Sequence, residues 1–500
     1  MAKGNDLAGS REAVKFAGGS LGERIERRPW RTFVLLLGGV LLLHLWRAVP
    51  SEPFYNNDET RHLLTGIFFR DFLRDLPFSD PLGYAKAYYL RAPALGLLVW
   101  PPFFHVVEGG MMGLFGAGLL TGKVTVGLFA VLAGGYLFAL ARVSEDTCTA
   151  AVALLLFLLF PIVFALSRQV MLEVPALGLS LAALYHFVRH LEGEGRRDLF
   201  LSALFSALAF LTRYDAFVLL PTFLLLLLLR RKLGVLLRRE VWAAAGLGLL
   251  LTLPYTLFMV RHIGAFHLRQ ATETMTEGST HLFALENFGF YLRHIPDQIS
   301  WCGVVLVLAG LGGIVAKGRS SRALPHLVLI GTTWVTFSAM AELEVRHTIY
   351  WTPAFAFLGA VGVRTFVRRG GVGSFGILLL LAGALLSGIR RPAPYLHGYA
   401  EAARHIVRHP DPRPLVLFDG WLDGNFIYQI GRLDGERRWW VLRGDKIFFS
   451  VLTPTNLGYR EYVRDEAEML ARIFACDPAY LVVESPYLYR QNPTADRLRQ

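Results

Sequence analysis

Residues 219–232 read LLPTFLLLLLLRRK, an uncharged leucine-rich run that ends in three cations. Such a run is typical of a helix that crosses the hydrocarbon core and ends at the membrane surface. The rest of the chain has the same character, because 54% of its 500 residues are hydrophobic and its mean hydropathy is +0.42. This composition is too apolar for an ordinary soluble enzyme. We therefore predict a polytopic α-helical membrane protein.

The net charge of +12 indicates how the chain is oriented in a membrane and does not point to a nucleic-acid partner. Lys and Arg fall mainly in short loops between apolar segments, which is the positive-inside pattern of cytoplasmic loops. Cys148, Cys302 and Cys476 are widely scattered and lack the spacing of a disulfide framework or a zinc site. The basic loops that we place in the cytoplasm are 189–197, 230–239, 317–322 and 364–369.

A membrane-spanning helix needs about 20 mainly apolar residues, and the sequence offers about eleven such segments. Arginines precede the first segment, which we interpret as a retained helix and not a secretory signal, because so many apolar segments follow. An odd number of spans places the N-terminus in the cytoplasm and the C-terminus outside. The predicted spans are 31–49, 119–141, 149–166, 173–189, 199–212, 216–229, 241–260, 299–316, 323–341, 350–366 and 373–389.

The C-terminal tail differs from the spans, since short apolar runs alternate in it with amphipathic stretches after a Pro-rich junction. We predict a small extracytoplasmic α/β domain, with strands at 414–419 and 479–484 and helices at 400–408 and 466–474. The predicted divisions are a cytoplasmic segment at 1–30, a membrane domain at 31–390 and the tail domain at 391–500. Two long outer segments complete the topology: 50–118, with two interfacial helices of which one is 103–115, and 261–298, a polar loop.

Under this topology, polar residues gather at the outer ends of the spans in four clusters. Ionisable side chains at membrane depth are costly and tend to be functional. Carboxylates suit proton transfer and arginines suit phosphate, so the clusters predict an active site for an anionic substrate. The clusters are Asp58, Glu59, Arg61 and His62; Arg168 and Glu173; Arg213, Tyr214 and Asp215; and Glu342, Glu344, Arg346 and His347.

Each cluster, taken alone, has a simpler interpretation. Asp58 and Glu59 could stabilise the first turn of a helix at 60–73 through its dipole. Arginines at a membrane surface commonly snorkel, and single histidines are more often structural than catalytic. Glu173 is harder to explain in this way, because it starts an apolar run and would be partly desolvated. The coincidence of four clusters on one side favours the functional interpretation.

Several short motifs around these residues also occur in a fixed order. They are NDETRH at 57–62, WPPF at 100–103 with LFG at 114–116, MLEVP at 171–175, LTRYD at 211–215, and VRH at 345–347 with Pro353. In this order and spacing the chain resembles the GT-C glycosyltransferases, and in particular their protein O-mannosyltransferase and aminoarabinose transferase branch. The resemblance covers about residues 30–390 and implies a GT-C fold; the tail lies outside it.

The resemblance also implies roles for individual residues. Asp58, with Glu59 beside it, would be the base or the carboxylate that orients the acceptor, and Glu173 would be the later acid. Arg213, Arg346 and His347 would bind the donor phosphate, although Lys is common at the first position and Tyr at the third. The remaining cluster members that we expect near the substrate are Arg61, His62, Arg168 and Tyr214.

Together these features predict a plasma-membrane glycosyltransferase that takes a sugar from a polyprenyl-phosphate donor on the extracytoplasmic face, with inversion. The acceptor would be a protein, a glycan or a lipid. No cofactor is required; a divalent metal could bind at Asp58 and Glu173, but cationic side chains can carry the phosphate themselves. Two alternatives stay open. One is a transporter or flippase for an anionic lipid, which would favour broken helices and repeats, neither of which the sequence indicates; the other is a non-catalytic scaffold that acts through its tail.

Overall fold

The computed structural model describes residues 28–47, 57–97, 99–193, 195–264, 266–273, 280–316, 318, 320–367, scattered positions between 376 and 390, 396–451 and 459–485. Within these residues the chain is mainly helical, as its composition predicts. The segment before residue 28, most of the predicted span at 373–389 and the Pro-rich junction at 391–394 lie outside the described residues.

Apart from four helices in the predicted outer segments, the described helices before residue 368 coincide with the predicted apolar segments to within a few residues. They are α1 Pro29–Arg47, α2 Asn57–Asp75, α3 Pro81–Arg91, α4 Phe103–Phe115, α5 Leu119–Ser144, α6 Thr147–Leu159, α7 Pro161–Leu166, α8 Glu173–Leu191, α9 Arg196–Phe210, α10 Leu219–Leu229, α11 Arg239–Ile263, α12 Phe266–Thr272, α13 Leu285–Arg293, α14 Ile295–Ala316, α15 Ser320–Ser338 and α16 Thr352–Val367. Short 3₁₀ helices lie at Tyr214–Val218, Leu233–Leu237 and Val345–Trp351.

Length and composition single out α5, α11 and α14 as the described helices that could each cross a membrane. The helices α4, α6 and α10 are as apolar but shorter. The number of membrane spans, about eleven, therefore stays a prediction. The central helix α8 is buried along nearly its whole length, which explains why its sequence is apolar on every side.

Three sequence-based expectations about the outer segments and the spans were wrong in detail. The segment 50–118 contains three helices, α2, α3 and α4, instead of two. The segment 261–298 is not a polar loop, because α12 and α13 form within it. In α13 the side chains of Asn287 and Tyr291, four residues apart, are buried on one face, so a short amphipathic helix forms despite the polar composition. The predicted span at 149–166 is interrupted between α6 and α7, because Pro161 cannot donate the backbone bond that a continuous helix needs.

The helices α14 and α16 approach each other through glycine. A Cβ atom on Gly310 would clash with the carbonyl oxygen of Leu358, and a Cβ atom on Gly362 would clash with the carbonyl oxygen of Leu306. Only residues without a side chain allow two helix backbones to come this close, which is a common basis of helix packing in membranes. The 3₁₀ helix Val345–Trp351 leads directly into α16, so this contact fixes the position of the segment that carries Arg346.

The C-terminal α/β region, residues 396–451 and 459–485, has the predicted elements. Its strands lie in two sheets, one parallel with the order β2-β1-β5 and one antiparallel formed by β3 and β4. The register of the first sheet places Val416 beside both Val441 and Tyr480. The elements are α17 Tyr399–Arg408, β1 Leu415–Asp419, α18 Asp423–Leu433, β2 Trp440–Arg443, α19 Gly444–Ile447, β3 Phe449–Val451, β4 Tyr459–Glu461, α20 Glu466–Cys476 and β5 Tyr480–Val483.

Candidate active site

Six charged side chains from four separate parts of the chain meet at the ends of the helices. We call them the ion-pair network. Each lies at a helix end or in a turn, where a side chain can leave the packed helical core and meet others. The members are Asp58 in the first turn of α2, Glu173 at the start of α8, Arg213 and Asp215 between α9 and α10, and Glu344 and Arg346 between α15 and α16.

Arg346 is the centre of this network. Its Nη1 and Nη2 atoms each donate to Asp58 Oδ2 at 3.2 Å, and Nη1 lies 3.4 Å from Glu173 Oε1. Its Nε donates to Glu344. One guanidinium therefore joins carboxylates from α2, from α8 and from its own 3₁₀ segment, an arrangement that the planar, five-donor group of arginine suits.

Arg213 lies on the other side of Glu173. It donates from Nη1 to Glu173 and from Nε to Asp215 Oδ2, the latter at 2.6 Å. The second oxygen of Asp215 accepts a bond from the Tyr350 hydroxyl at 2.7 Å. Glu173 thus lies between two guanidinium groups with its side chain 1% exposed, and a carboxylate this deeply buried needs such partners to stay charged.

Burial and charge set the pKa values of two groups in the 342–347 segment. Burial acts to raise the pKa of Glu344, but the charge and the hydrogen bond of Arg346, together with the charge of Arg213, outweigh it and lower that pKa to about 2. For His347, burial and the charge of Arg213 lower the pKa to about 4. At neutral pH Glu344 is therefore ionised and His347 is neutral. His347 is consequently a neutral imidazole beside the network and adds no cation to it.

Glu59 has surroundings unlike those of Asp58. It is fully buried, and its Oε1 accepts a bond from the backbone N–H of Val170 at 3.0 Å. Glu108 of α4 is also fully buried, and neither of its carboxyl oxygens has a hydrogen-bond partner among the described residues. Burial and the charge of Glu59 raise the pKa of Glu108 well above its ordinary value. Burial and the neighbouring anion therefore favour the protonated form of Glu108, in which the two carboxyl groups do not repel each other as two anions would.

His62 belongs to the same buried layer. Its Nδ1 lies 3.0 Å from His105 Nε2, and His105 Nδ1 lies 3.2 Å from the carbonyl oxygen of Pro101. A carbonyl only accepts, so His105 Nδ1 carries the proton toward Pro101. Burial lowers the pKa of His105 to about 3, so its Nε2 is unprotonated and accepts from His62 Nδ1. The pair is neutral, and His62 is left with its lone pair on Nε2.

Three further candidates contact other parts of the chain. Arg61 donates to Asp423 of α18. Arg168 is 4% exposed, donates to the carbonyl of Phe164 and lies over the ring of that residue, 4.5 Å from its centroid. Tyr214 interacts with Tyr255, whose hydroxyl donates to backbone carbonyls of the 97–100 segment.

A metal at Asp58 and Glu173 does not fit the donor set as it stands. Asp58 accepts from Arg346, and Glu173 lies 3.4 Å from the same guanidinium, so a cationic group occupies the space between the two carboxylates. Across the part of the chain that the structure describes, no group of three or more His, Cys, Asp or Glu side chains could hold a metal ion.

The structure pairs two members of the predicted clusters, Asp215 and Glu344, with arginines, and it adds Glu108, His105 and Asp423, to which the sequence assigned no role. Asp215 and Glu344 lie two residues from Arg213 and Arg346, and that spacing in the sequence was a usable signal for their pairing. Glu108 and His105 interrupt an apolar stretch, which indicated an interfacial helix and not a buried polar layer. Asp423 gave no signal, because its partner Arg61 lies 362 residues earlier in the chain.

Comparison with known proteins finds relatives of this architecture. The family described as dolichyl-phosphate-mannose-protein mannosyltransferase matches residues 100–258. No curated protein sequence matches the chain. The resemblance to GT-C glycosyltransferases is confirmed by this family match and by solved structures with the same fold.

Two solved proteins illustrate that fold. ArnT from Cupriavidus metallidurans in the apo state has a TM-score of 0.60 at 15% identity, over 83% of this chain and 86% of its own. ArnT bound to undecaprenyl phosphate has a TM-score of 0.59 at 15% identity, over 91% and 90%. The Archaeoglobus fulgidus oligosaccharyltransferase in the apo form has a TM-score of 0.56 at 12% identity, over 81% and 64%.

Proposed function

We propose that this protein is a glycosyltransferase that uses a polyprenyl-phosphate sugar as donor and acts at the extracytoplasmic face of the plasma membrane. The observation that carries this proposal is the joining of Asp58 to Arg346, and of Arg346 to Glu173 and so to Arg213. A carboxylate that can take a proton thus lies against one arginine, and Glu173 joins that arginine to a second; both arginines can bind a phosphate. The ArnT structure with undecaprenyl phosphate adds support by analogy of fold.

The reaction would be a single inverting displacement. The acceptor hydroxyl oxygen forms a bond to the anomeric carbon while the bond from that carbon to the phosphate oxygen breaks. The proton of the hydroxyl passes to Asp58, and the electron pair of the broken bond stays on the polyprenyl phosphate. Arg213 and Arg346 stabilise the negative charge that develops on this leaving group.

The charges of the network require an exchange when the donor binds. Four carboxylates surround two guanidinium groups, and both arginines are already paired. A donor phosphate must therefore displace a carboxylate from an arginine. Of the two carboxylates that reach Arg346 from other helices, Asp58 is the one to leave, because its side chain is 28% exposed while that of Glu173 is 1% exposed. Glu344, at 38% exposed, belongs to the same segment as Arg346 and pairs with its Nε atom, away from the contact with Asp58. Binding of the donor would thereby free Asp58 to accept a proton from the acceptor.

The buried candidates support this centre without touching the substrate. Glu59 would position the 167–172 segment through the Val170 amide, and His62 would pack beneath the site on His105. Arg61 would act through its contact with the C-terminal α/β region. The acceptor would be a protein, glycan or lipid hydroxyl group.

The first test is consumption of donor. The purified protein in proteoliposomes is incubated with labelled polyprenyl-phosphate sugars and a membrane extract that supplies acceptors. We expect one donor to be converted to free polyprenyl phosphate, and the label to appear in an acceptor fraction. Absence of turnover with every donor, in a preparation that binds polyprenyl phosphate, would contradict the enzyme proposal.

A second test addresses the donor site. Binding of a non-reactive polyprenyl phosphate is measured for Arg213→Ala and Arg346→Ala, and both should bind at least about 10-fold more weakly, since each removes a charge-assisted contact. Lysine should restore binding at position 213, where relatives carry it, but not at Arg346, whose forked contacts need a guanidinium. Unchanged affinity in both alanine variants would move the donor site to Arg168 or Arg261.

The transporter alternative deserves its own test, because the broken-helix feature expected of it is present. The predicted span at 149–166 is interrupted at Pro161, and 3₁₀ helices directly precede α10 and α16. A transporter would move a labelled anionic lipid between leaflets of proteoliposomes without chemical change. Transfer of lipid with intact sugar and no free polyprenyl phosphate would favour that alternative.

A further inference from the structure

The first turn of α2 is bound from two directions. Asp58 accepts from Arg346, which belongs to the membrane region. Arg61, three residues later, donates to Asp423 at the start of α18, which belongs to the C-terminal α/β region. Residues three apart are neighbours on a helix surface, so the two contacts act on the same turn.

Asp423 is shared between two arginines. Arg61 Nη2 lies 3.2 Å from its Oδ1 and 3.3 Å from its Oδ2, and Arg443 Nη1 lies 3.0 Å from its Oδ2. The Asp423 side chain is 5% exposed. Arg443, in β2, also donates to the carbonyl oxygen of Pro93 at 3.0 Å. One buried carboxylate therefore links α2 and, through Arg443, the 92–94 turn of the first outer segment to the C-terminal α/β region.

Apolar packing makes this link rigid. Leu64 and Phe68 of α2 are buried in one cluster with Phe426 and Ile430 of α18. A side chain on Gly431 would meet Leu64 at 3.0 Å, so the two helices lie close together just beyond the Arg61–Asp423 pair. An ion pair on such a packed surface keeps a fixed geometry, unlike an isolated surface pair that contributes little.

A comparable contact lies at the opposite end of α2. Arg437, which follows α18, pairs with Asp71 at 3.2 Å and also with Asp75. Asp71 is thirteen residues after Asp58, which is about 20 Å along a helix that rises 1.5 Å per residue. The C-terminal α/β region thus contacts α2 at one point next to the candidate base and at another far from it.

We propose that Asp423 is a positioning residue for sugar transfer: through Arg61 it fixes the first turn of α2 and thereby the place of Asp58. The C-terminal α/β region is then a part of the active-site architecture and not an appended module. The inference rests on the proposed function, in which Asp58 accepts the proton. It assigns Arg61 to this contact and not to the substrate.

The physical reason is that proton transfer tolerates only a small displacement of the base from the hydroxyl group. A base must lie within hydrogen-bond reach of the hydroxyl it deprotonates, and a misplacement of about 1 Å can cost as much as ~100-fold in rate. When the donor phosphate takes Asp58's place on Arg346, the contact between Asp58 and Arg346 is lost. The turn is then held by the Glu59–Val170 bond on the side of the membrane region and by the Arg61–Asp423 ion pair on the side of the C-terminal α/β region.

The test compares Asp423→Asn with a matched control, Arg437→Gln, in the full-length protein. Asp423→Asn removes a charge near Asp58, while Arg437→Gln removes one from the same interface at the distant end of α2. We expect Asp423→Asn to lower the turnover number about 10-fold while the affinity for non-reactive polyprenyl phosphate stays unchanged. Arg437→Gln should leave turnover within about twofold, although it lowers thermal stability.

A double-mutant cycle separates positioning from general destabilisation. In an Asp58→Asn background the base is already absent, so Asp423→Asn should cause no further loss of turnover. An equal fold-loss in both backgrounds would overturn the proposal, since that is the result of an independent structural effect. The conservative Arg61→Lys should retain more turnover than Arg61→Gln, because it keeps the charge that Asp423 binds.

Hydrogen exchange gives a readout that needs no activity. Asp423→Asn should speed exchange of the amides at 58–65 at least about 10-fold, whereas Arg437→Gln should affect those near 71–75. Unchanged exchange at 58–65 would overturn the positioning role whether or not the protein transfers sugar. If exchange at 58–65 is faster but the protein consumes no polyprenyl-phosphate sugar, the positioning contact is supported and the proposed function is rejected. Failure of the positioning role and failure of the proposed function are therefore distinguishable.

Discussion

Asp58 and Glu59 are adjacent in sequence and in the same helical turn, yet they face different surroundings. Asp58 is 28% exposed and is bound by the forked guanidinium of Arg346. Glu59 is fully buried and is bound by a backbone amide of another segment. Asp58 can give up Arg346 to a substrate. Glu59 cannot leave the Val170 N–H group without leaving it buried and without a hydrogen bond, which is costly. Of these two adjacent acids, we therefore expect Asp58 to act in the reaction and Glu59 to stabilise the structure around it.

The largest effect should come from removing the charge of Asp58. Asp58→Asn keeps the size of the side chain but cannot take a proton, so turnover should fall at least ~100-fold. The measurement is conversion of labelled donor by protein whose insertion and thermal stability match the wild type. Near wild-type turnover in such protein would exclude the base role and leave Asp58 as a residue that stabilises the start of α2.

Removing the Glu59 side chain should act on stability first. In Glu59→Ala the buried Val170 N–H loses its acceptor, a loss of about 1–3 kcal/mol in the free energy of unfolding. The melting temperature in detergent should therefore fall by several degrees, with a smaller loss of turnover than Asp58→Asn causes. Glu59→Gln keeps an oxygen that can accept from Val170 and is the control. If Gln were as inactive as Asp58→Asn at wild-type stability, Glu59 would have a catalytic role of its own.

Lowering the pH below neutrality should destabilise the folded protein through two groups in and beside the ion-pair network, Glu344 and His347. The pKa of Glu344 is lowered in the folded protein, so its stabilising pairing with Arg346 is fully present above the unfolded value near 4.5 and is lost as pH falls toward about 2. His347, whose folded pKa is about 4, disfavours folding progressively below its unfolded value of 6.5. Melting temperature against pH should therefore decline below pH 6.5. Glu344→Gln should remove the part of the decline below 4.5, and an unchanged profile in this variant would contradict the pairing.

The smallest effect should be at Glu108. Because the pKa of Glu108 is raised in the folded protein, the folded state holds a proton that the unfolded chain releases above about pH 4.5. Raising the pH above 4.5 therefore lowers the free energy of unfolding through this group. Glu108→Gln resembles the protonated acid and should change the melting temperature little at pH 5 and raise it at pH 8. A large loss of stability in the Gln variant at pH 8 would show that Glu108 is needed as an anion.

The sequence was informative wherever a single helix or one turn determined the outcome. Long apolar runs predicted the extents of helices such as α5 and α14, and short apolar runs predicted β1 and β5 of the tail, because burial of a helix or strand depends mainly on its own residues. The polar ends of these helices pointed to the groups that the structure brings together in the ion-pair network.

Partners far apart in the chain could not be predicted. The pairing of Arg61 with Asp423 depends on how the tail packs against α2, which no local pattern encodes. The burial of Glu108 was missed for a similar reason: a charged residue in an apolar helix normally indicates an exposed face, and only the packing of α4 on α2 reverses that. Such contacts are tertiary, and they decide which acid is catalytic and which is structural.

The glycine contact between α14 and α16 has a practical consequence for anyone who engineers this protein. Replacing helical glycines by alanine is a standard way to stabilise a protein through its unfolded state. At Gly310 and Gly362 the new methyl group would collide with a backbone carbonyl of the facing helix, which cannot move aside as a side chain could. The helices would separate, and the segment that carries Arg346 would shift with α16. A stabilisation campaign should therefore spare these two positions and begin with glycines that face open space, such as Gly127 and Gly248.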